Sequence, residues 1–113
     1  MVKINRVGEV FEVTFDEMQQ LNIFVSDSVK PPILKLFEEQ QGAKVLINMK
    51  GVHFLDSSGF ATLLSISKEA EKSNGKLVFC NISASALHLF EVLHLHLSFH
   101  IVAEREEALQ WLQ

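Results

Sequence analysis

The sequence contains few of the features that mark secreted, membrane or nucleic-acid-binding proteins. Cys80 is its only cysteine, so no disulfide can form within the chain, and we expect a reducing compartment. Only 10 lysines and arginines stand against 14 aspartates and glutamates, which gives a net charge of −4 at pH 7. Because no basic cluster is present to neutralise phosphates, we expect neither nucleic-acid binding nor attachment to anionic membranes.

Long apolar runs are absent as well. No stretch approaches the ~18 apolar residues that a transmembrane helix needs. Segment Met1–Gly8 has neither the apolar core nor the small-residue cleavage site of a signal peptide. We therefore expect a cytoplasmic protein that does not insert into a membrane.

What remains is the composition of a folded globular domain. Hydrophobic residues make up 48% of the chain and charged residues 21%, and the length is 113 residues, which is enough to bury one core. No repeat, low-complexity segment or linker interrupts the sequence. We predict a single domain over residues 1–113.

Hydrophobic periodicity predicts strands and helices in an order typical of an α/β fold. The predicted strands are Glu9–Phe15, Leu21–Val25, Lys44–Met49, Lys76–Cys80 and Phe99–Val102. The predicted helices run from Pro32 to just before Gly42, from Phe60 to Ser73, from Ser83 to Leu93 and from Glu104 to Leu112. Strands alternate with helices in the second part of the chain, which implies parallel strands joined by crossovers. A hairpin-like N-terminal pair makes the predicted central sheet mixed, with the helices packed on it.

The junction Asp56-Ser57-Ser58-Gly59 lies between an apolar run of strand type and one of helix type. Asp and Ser are preferred N-caps, since their side-chain oxygens accept hydrogen bonds from the first amides of a helix. Capping needs only one such residue, however, and a glycine within the first turn costs about 1 kcal/mol relative to alanine. Such a glycine is explained if another group approaches the backbone closely. The residues alone leave a capping role and a functional role equally open.

A catalytic serine fits this junction less well. A nucleophile elbow reads Gly-x-Ser-x-Gly, whereas the residue two before Ser58 is Asp56 and the residue two after it is Phe60. An aspartate with a pKa of about 4 is also too weak a base at neutral pH. Neither of the common glycine-rich phosphate loops is present. A hydrolase that uses Ser57 or Ser58 is the least favoured interpretation.

Three histidines near the C-terminus suggest a metal site at first sight. His94, His96 and His100 would share one face if they lay on a single strand. No cysteine or clear acidic ligand accompanies them. We therefore predict that they are structural bystanders and that the protein binds no metal.

The apolar residues of the third helix are most simply core residues: Leu87, Leu89, Phe90 and Leu93. Excess apolar surface on this helix would also suit a homo-oligomer, and the sequence does not separate the two. Trp111 is predicted to pack against the domain.

The longer stretch VHFLDSSGFATLL, Val52–Leu64, resembles the signature of the STAS domain family, which includes the anti-sigma factor antagonists. Three further segments resemble the family's central strand and helix start, its next strand and turn, and its last strand and closing helix: KVLINMKGVHFLDSSG, NGKLVFCNIS and FHIVAEREEAL. The resemblance spans nearly the whole chain. It implies the STAS fold, no cofactor and no enzymatic activity.

The resemblance also implies a function and a set of site residues. In stand-alone members of the family, the second serine of the motif is phosphorylated by a partner serine kinase, which is also the anti-sigma factor and holds the ATP. Carried over by position, the phosphorylated residue is Ser58, and partner contact falls on Asp56, Ser57, Gly59 and Phe60 as well. The unphosphorylated protein would bind the kinase and free a sigma factor, and a phosphatase acting on phospho-Ser58 would restore binding.

The chain departs from the family pattern at three positions. Asn48 stands where the central strand often has an acidic residue, and Phe60 stands where a leucine is common. His94 replaces a glycine that often ends the third helix, and histidine tolerates the left-handed conformation. Asn48 and Phe60 bear on the identity of the partner. The alternative function is a STAS subunit of a stressosome-like scaffold or of a lipid-transport ABC complex.

Overall fold

The computed structural model describes residues 1–95 and 99–113. Its elements in chain order are strands β1 (Val2–Val7), β2 (Val10–Phe15) and β3 (Gln20–Leu21), helix α1 (Ile23–Glu39), strands β4 (Lys44–Asn48) and β5 (Phe54–Leu55), helix α2 (Ser57–Lys72), strand β6 (Lys76–Cys80), and helices α3 (Ala84–Val92) and α4 (Arg105–Leu112). Within these residues, no helix combines the length and apolarity needed to cross a membrane.

The central sheet has the strand order β1-β2-β4-β6. β1 and β2 form an antiparallel hairpin, whereas β2, β4 and β6 run parallel. Phe79 of β6 forms one further parallel bridge, to Ile101. The predicted last strand, Phe99–Val102, is therefore reduced to a single bridge. The predicted mixed α/β sheet with helices packed on it is confirmed.

Alternate residues of the strands point to two separate cores. Ile47 and Phe79 face the side covered by α1, α2 and α3, where most of the buried residues lie. Leu46 and Val78 face the opposite side, where they pack with Ala108 of α4. The sheet is thus covered on both faces, by three helices on one and by α4 on the other.

The N-terminal prediction is wrong in two respects. The partner of β2 is the segment Val2–Val7, for which no strand was predicted, and not Leu21–Val25. Of that second segment only Leu21 belongs to a strand, because α1 already begins at Ile23. Asn22 decides the helix start: its Oδ1 accepts a hydrogen bond from the amide of Phe24 at 3.0 Å, which is the interaction of a helix N-cap.

Pro31 and Pro32 lie inside α1 and not in its first turn as predicted. A proline in a helix interior removes one backbone hydrogen bond and crowds the preceding turn. The helix continues through both because Val29, Ile33 and Phe37 are fully buried along one face. Each such side chain contributes about 1.5–3 kcal/mol on burial, so tertiary packing outweighs the local signal.

The other helices lie where the sequence predicts them. α2 begins directly after Asp56 and has Ser73 as its C-cap. The hydroxyl of Ser83 caps α3 and accepts a hydrogen bond from the amide of Ala86 at 3.2 Å. α4 follows Glu104.

The apolar face of α3 belongs to the core only in part. Phe90 is fully buried and Leu87 and Leu89 are half-buried. Leu93, however, is 52% exposed, so its assignment to the core is wrong. The reason is that Leu93 is the C-cap residue, at which the helix runs out beyond the packed layer.

The C-terminal histidines take separate positions. His94 has the expected left-handed conformation, with φ of 58°, and His96 lies outside the described residues. His100 stacks on Trp111, with ring centroids 4.0 Å apart. Trp111 therefore packs as predicted, but it is also 42% exposed. Among the described residues, no cluster of three or more His, Cys, Asp or Glu side chains is placed to bind a metal ion.

Candidate functional site

Asp56 connects β5 to α2 and caps two helices with one carboxylate. Its Oδ1 accepts a hydrogen bond from the amide of Gly59, in the first turn of α2, at 2.9 Å. Its Oδ2 accepts one from the amide of Ile23, the first residue of α1, at 3.1 Å. The capping role at α2, one of the two roles that the sequence left open, is therefore present, and the same side chain also holds the start of α1. The positive ends of both helix dipoles therefore meet at this carboxylate.

A short ladder between β3 and β5 brings the two helix starts together. Leu21 pairs with Leu55, and the amide of Asp56 donates to the Leu21 carbonyl at 3.3 Å. Gly59 packs against the same carbonyl, because a Cβ on residue 59 would overlap with the Leu21 oxygen and lie 3.1 Å from Leu55 Cδ2. The close approach that this glycine was expected to serve is made by the chain's own backbone.

Ser57 and Ser58 lie in the first turn of α2. Ser57 is exposed and Ser58 is half-buried. Neither hydroxyl has a hydrogen-bond partner within residues 1–95 and 99–113. Ser58 is therefore not sequestered in the core, and the arrangement lacks the serine–histidine contact of a hydrolase in this part of the chain.

The two residues that follow the serines are buried. Phe60 is only 7% exposed, and its ring packs edge-on against Phe90 with centroids 4.9 Å apart. Gly59 is buried as well. Gly59 and Phe60 can therefore contribute to partner binding only by shaping and anchoring the turn, whereas Ser57 and Ser58 reach the surface.

Three apolar residues at the starts of α1 and β5 have exposed side chains, and we call them the flanking patch: Ile23, Phe24 and Phe54. They are 64%, 90% and 51% exposed, respectively. Ile23 is bonded to Asp56 through its amide, and Phe54 precedes Asp56 by two residues in β5. Large apolar groups exposed around one site are typical of interaction surfaces.

The flanking patch was not predicted, because Leu21–Val25 was assigned to a strand. The signal that would have found it is the spacing of Ser26, Val29, Ile33 and Phe37, which are the buried residues of α1. These residues recur at helical intervals, and the pattern places Phe24 on the outer face.

A polar cluster on the α4 side of the sheet was not predicted from the sequence either. Glu12 of β2 accepts two hydrogen bonds from Arg105, from Nε to Oε2 at 2.8 Å and from Nη2 to Oε1 at 3.0 Å. Asn48 donates to Glu12 at 3.2 Å and accepts from Asn81 at 3.0 Å. The hydrogen bond from Arg105 holds the pKa of Glu12 below its ordinary value, although burial opposes this by raising it. The cluster joins β2, β4 and the start of α4.

Two features of the sequence are explained by this cluster. Asn48 donates a hydrogen bond to Glu12, which a carboxylate at position 48 could not do without taking up a proton. Burial, together with the charge of Glu12, raises the pKa of Cys80 to about 11. Cys80 is therefore a protonated and unreactive thiol at neutral pH.

Comparison with known proteins agrees with this geometry. The sequence model of the STAS domain family matches residues 3–108 of this chain. The chain belongs to the STAS domain family. Over 91 residues it is 26% identical to the anti-sigma-B factor antagonist of Bacillus subtilis, covering 80% of this chain and 82% of that protein.

Solved STAS structures have the same fold. An anti-sigma-factor antagonist domain protein from Planctomyces limnophilus superposes with a TM-score of 0.90 at 22% identity, covering 98% of this chain and 97% of that one. The Bacillus cell fate determinant SpoIIAA, solved in its phosphorylated form, superposes with a TM-score of 0.75 at 19% identity, and both chains are covered completely (100% each).

Proposed function

We propose that this STAS domain is an anti-sigma factor antagonist, a binding module that sequesters an anti-sigma factor serine/threonine kinase and so frees a sigma factor. The kinase, which holds the ATP, phosphorylates Ser58 and thereby ends the complex. A phosphatase acting on phospho-Ser58 restores binding. The module works in the cytoplasm and catalyses no reaction itself. Its similarity to the anti-sigma-B factor antagonist of Bacillus subtilis and to SpoIIAA supports this choice.

The proposal rests above all on the position of Ser58. This hydroxyl lies in the first turn of α2, half-buried and without a hydrogen-bond partner among the described residues. A kinase can reach such a group without unfolding the domain. The helix N-terminus also tolerates added negative charge.

Phosphorylation would change the surface at this turn without unfolding the domain. A phosphate adds about −1.5 to −2 charges next to the carboxylate of Asp56. A partner that covers this turn would then have to bury an uncompensated anion, which costs several kcal/mol unless it is paired. The partner therefore leaves without unfolding of the domain.

The flanking patch supplies the attraction in the unphosphorylated state. A partner that covers Phe24 and Phe54 removes two largely exposed aromatic rings from water, and aromatic side chains dominate the energetics of protein interfaces. The same partner would then lie over Ser57 and Ser58. Attraction and switching thus fall within one surface.

The test is phosphorylation of the purified protein by an anti-sigma factor kinase from the source organism, followed by phosphopeptide mapping. We expect phosphate on Ser58 in the wild-type protein and in Ser57→Ala, the matched control. Ser58→Ala should incorporate none and should stay bound to the kinase in the presence of ATP. Phosphate on Ser57 alone, or unchanged incorporation in Ser58→Ala, would contradict the proposal.

A further inference from the structure

We call the first two turns of α1, Ile23–Lys30, the docking segment. Two residues, Asn22 and Asp56, accept the hydrogen bonds of its first four amides. The amide of Ile23 donates to the carboxylate of Asp56 at 3.1 Å. The next three amides all donate to Asn22, the first to its side chain at 3.0 Å and the other two to its carbonyl at 3.1 and 2.9 Å. Each of the amides that a helix start leaves without an intrahelical partner is thus satisfied.

The docking segment is weakly joined to the rest of its own helix. Pro31 and Pro32 have no amide hydrogen, so the carbonyls of Asp27 and Ser28 lose the hydrogen bonds that an uninterrupted helix would give them. Two successive links between the segment and the following turns are therefore missing. The segment can open locally while Ile33–Glu39 stays folded.

Few side chains tie the docking segment to the core. Val29 is fully buried, Ser26 is 8% exposed, and Val25 is half-buried and packs against the core. Phe24, the largest side chain of the segment, is 90% exposed and contributes little to its stability. The first turn is held in place by the hydrogen bond from Ile23 to Asp56 together with those that Asn22 accepts.

Asp56 uses both of its oxygens, one for each helix. A phosphate on Ser58 would place like charge beside this carboxylate, together with further oxygens that compete for the first amides of α2. The carboxylate would then not keep both of its hydrogen bonds in their present geometry. A change at Ser58 in α2 thus reaches the first amide of α1.

We propose that Asp56 is a positioning residue that couples the charge on Ser58 to the order of the docking segment, so that phosphorylation loosens Ile23–Lys30 and withdraws the ordered Phe24 from the partner. This inference rests on the proposed function, because it takes Ser58 as the phosphorylated residue and the docking segment as part of the partner surface. It adds a second way in which phosphate ends the complex. The bound partner loses its contact with an ordered Phe24 and also meets the negative charge of the phosphate.

The test is residue-resolved amide hydrogen exchange of the free protein, with phosphoserine at position 58 or with Ser58→Glu. We expect the amides of Ile23 to Ser26 to exchange about tenfold faster, the size of effect that loss of a helix cap produces. The amides of Ile33–Glu39, beyond the prolines, should exchange at the wild-type rate. Gln41→Glu, which adds one exposed charge past the other end of α1, is the matched control and should change neither set.

A double-variant cycle tests the route through Asp56. Asp56→Asn keeps a good N-cap side chain but has only one acceptor oxygen, so it can hold one helix start and not both. We expect Asp56→Asn to accelerate exchange in the docking segment by itself. Ser58→Glu should then add little in the Asp56→Asn background.

Three results would overturn the inference: unchanged or slower exchange of Ile23 to Ser26 in the position 58 variants, equal acceleration along the whole of α1, or fully additive effects of Asp56→Asn and Ser58→Glu. None of these measurements needs the kinase. Failure of the kinase to label Ser58 would overturn the proposed function, whereas the exchange result stands or falls on the coupling alone.

Discussion

Gly59 of α2 packs directly against the main-chain carbonyl of Leu21 in β3, with no room for a side chain between them. This contact sets how closely the start of α2 approaches the β3–β5 ladder. The same approach brings the carboxylate of Asp56 within hydrogen-bond distance of the first amide of α1. A glycine that looks unfavourable in a helix is therefore a condition for the geometry of the whole site.

Replacing Gly59 by Ala should destabilise the protein, despite the higher helix propensity of alanine. The added methyl group would meet a backbone oxygen, which cannot turn aside as a flexible side chain would. We expect a loss of about 3 kcal/mol in the free energy of unfolding, measured by urea denaturation. Ser57→Ala is the control and should change it by less than about 0.5 kcal/mol, because Ser57 is exposed and Asp56 provides the cap. A stable Gly59→Ala protein would show that the close contact does not constrain the fold.

Replacing Arg105 by Met should remove the main hydrogen-bond partner of Glu12, whose carboxylate is nearly buried. Glu12 is only 7% exposed, and both of its oxygens accept from Arg105. We expect a loss of about 2 kcal/mol in the free energy of unfolding. Arg105→Lys, which keeps the charge but not the two-pronged geometry, should lie between this variant and the wild type. Equal stability of all three proteins would contradict the role assigned to the pair.

The depressed pKa of Glu12 predicts a specific loss of stability in acid. A carboxyl group whose pKa is lower in the folded state contributes stability above its unfolded pKa, and that contribution is lost as the pH falls through the folded value. The ordinary pKa of a glutamate is 4.5. The contribution of Glu12 to the free energy of unfolding should therefore be complete at neutral pH and should decline below pH 4.5. We expect the difference in unfolding free energy between wild type and Glu12→Gln to shrink as the pH is lowered from about 6 to about 3. A difference that stays constant over this range would count against the prediction.

Replacing Asn48 by Asp should be destabilising at neutral pH, although acidic residues are common at this position in the family. The new carboxylate would lie where Asn48 Nδ2 is now 3.2 Å from the carboxylate of Glu12, so a donated hydrogen bond would become a repulsion. We expect a loss of about 1–3 kcal/mol. The loss should be smaller in acid, where one of the two carboxyl groups takes up a proton. Asn48→Asp in a Glu12→Gln background is the control and should recover most of the stability.

Strands β4 and β6 and helices α2, α3 and α4 could be predicted from the sequence because their signals are local. Lys44–Asn48 and Lys76–Cys80 are compact apolar runs, and Asp56 and Ser83 are good N-caps followed by helical spacing. Each of these patterns is decided by neighbours in the chain. The position of Asp56 before α2 follows from the same kind of local evidence.

The N-terminal part was predicted less well because distant contacts decide it. Leu21–Val25 has the alternation of a strand, but Asn22 and Asp56 together satisfy the first amides of a helix that begins at Ile23. Pro31 and Pro32 indicate a helix start, but the buried face of α1 carries the helix through them. In both places the energy of packing and capping by remote residues exceeds the local preference.

The sequence by itself determined the α/β class, the order of β4, α2, β6, α3 and α4, the family resemblance and the junction that carries Ser58. Only the tertiary structure decided that Asp56 holds two helices, that Gly59 meets the Leu21 carbonyl, that Phe24 is exposed in the first turn of α1, and that Glu12 pairs with Arg105. The first group depends on side-chain periodicity and backbone preference over a few residues. The second depends on which distant segments are brought within hydrogen-bond distance, 33 residues apart for Ile23 and Asp56 and 93 for Glu12 and Arg105. Such pairings arise only when the sheet and its helices close around a common core.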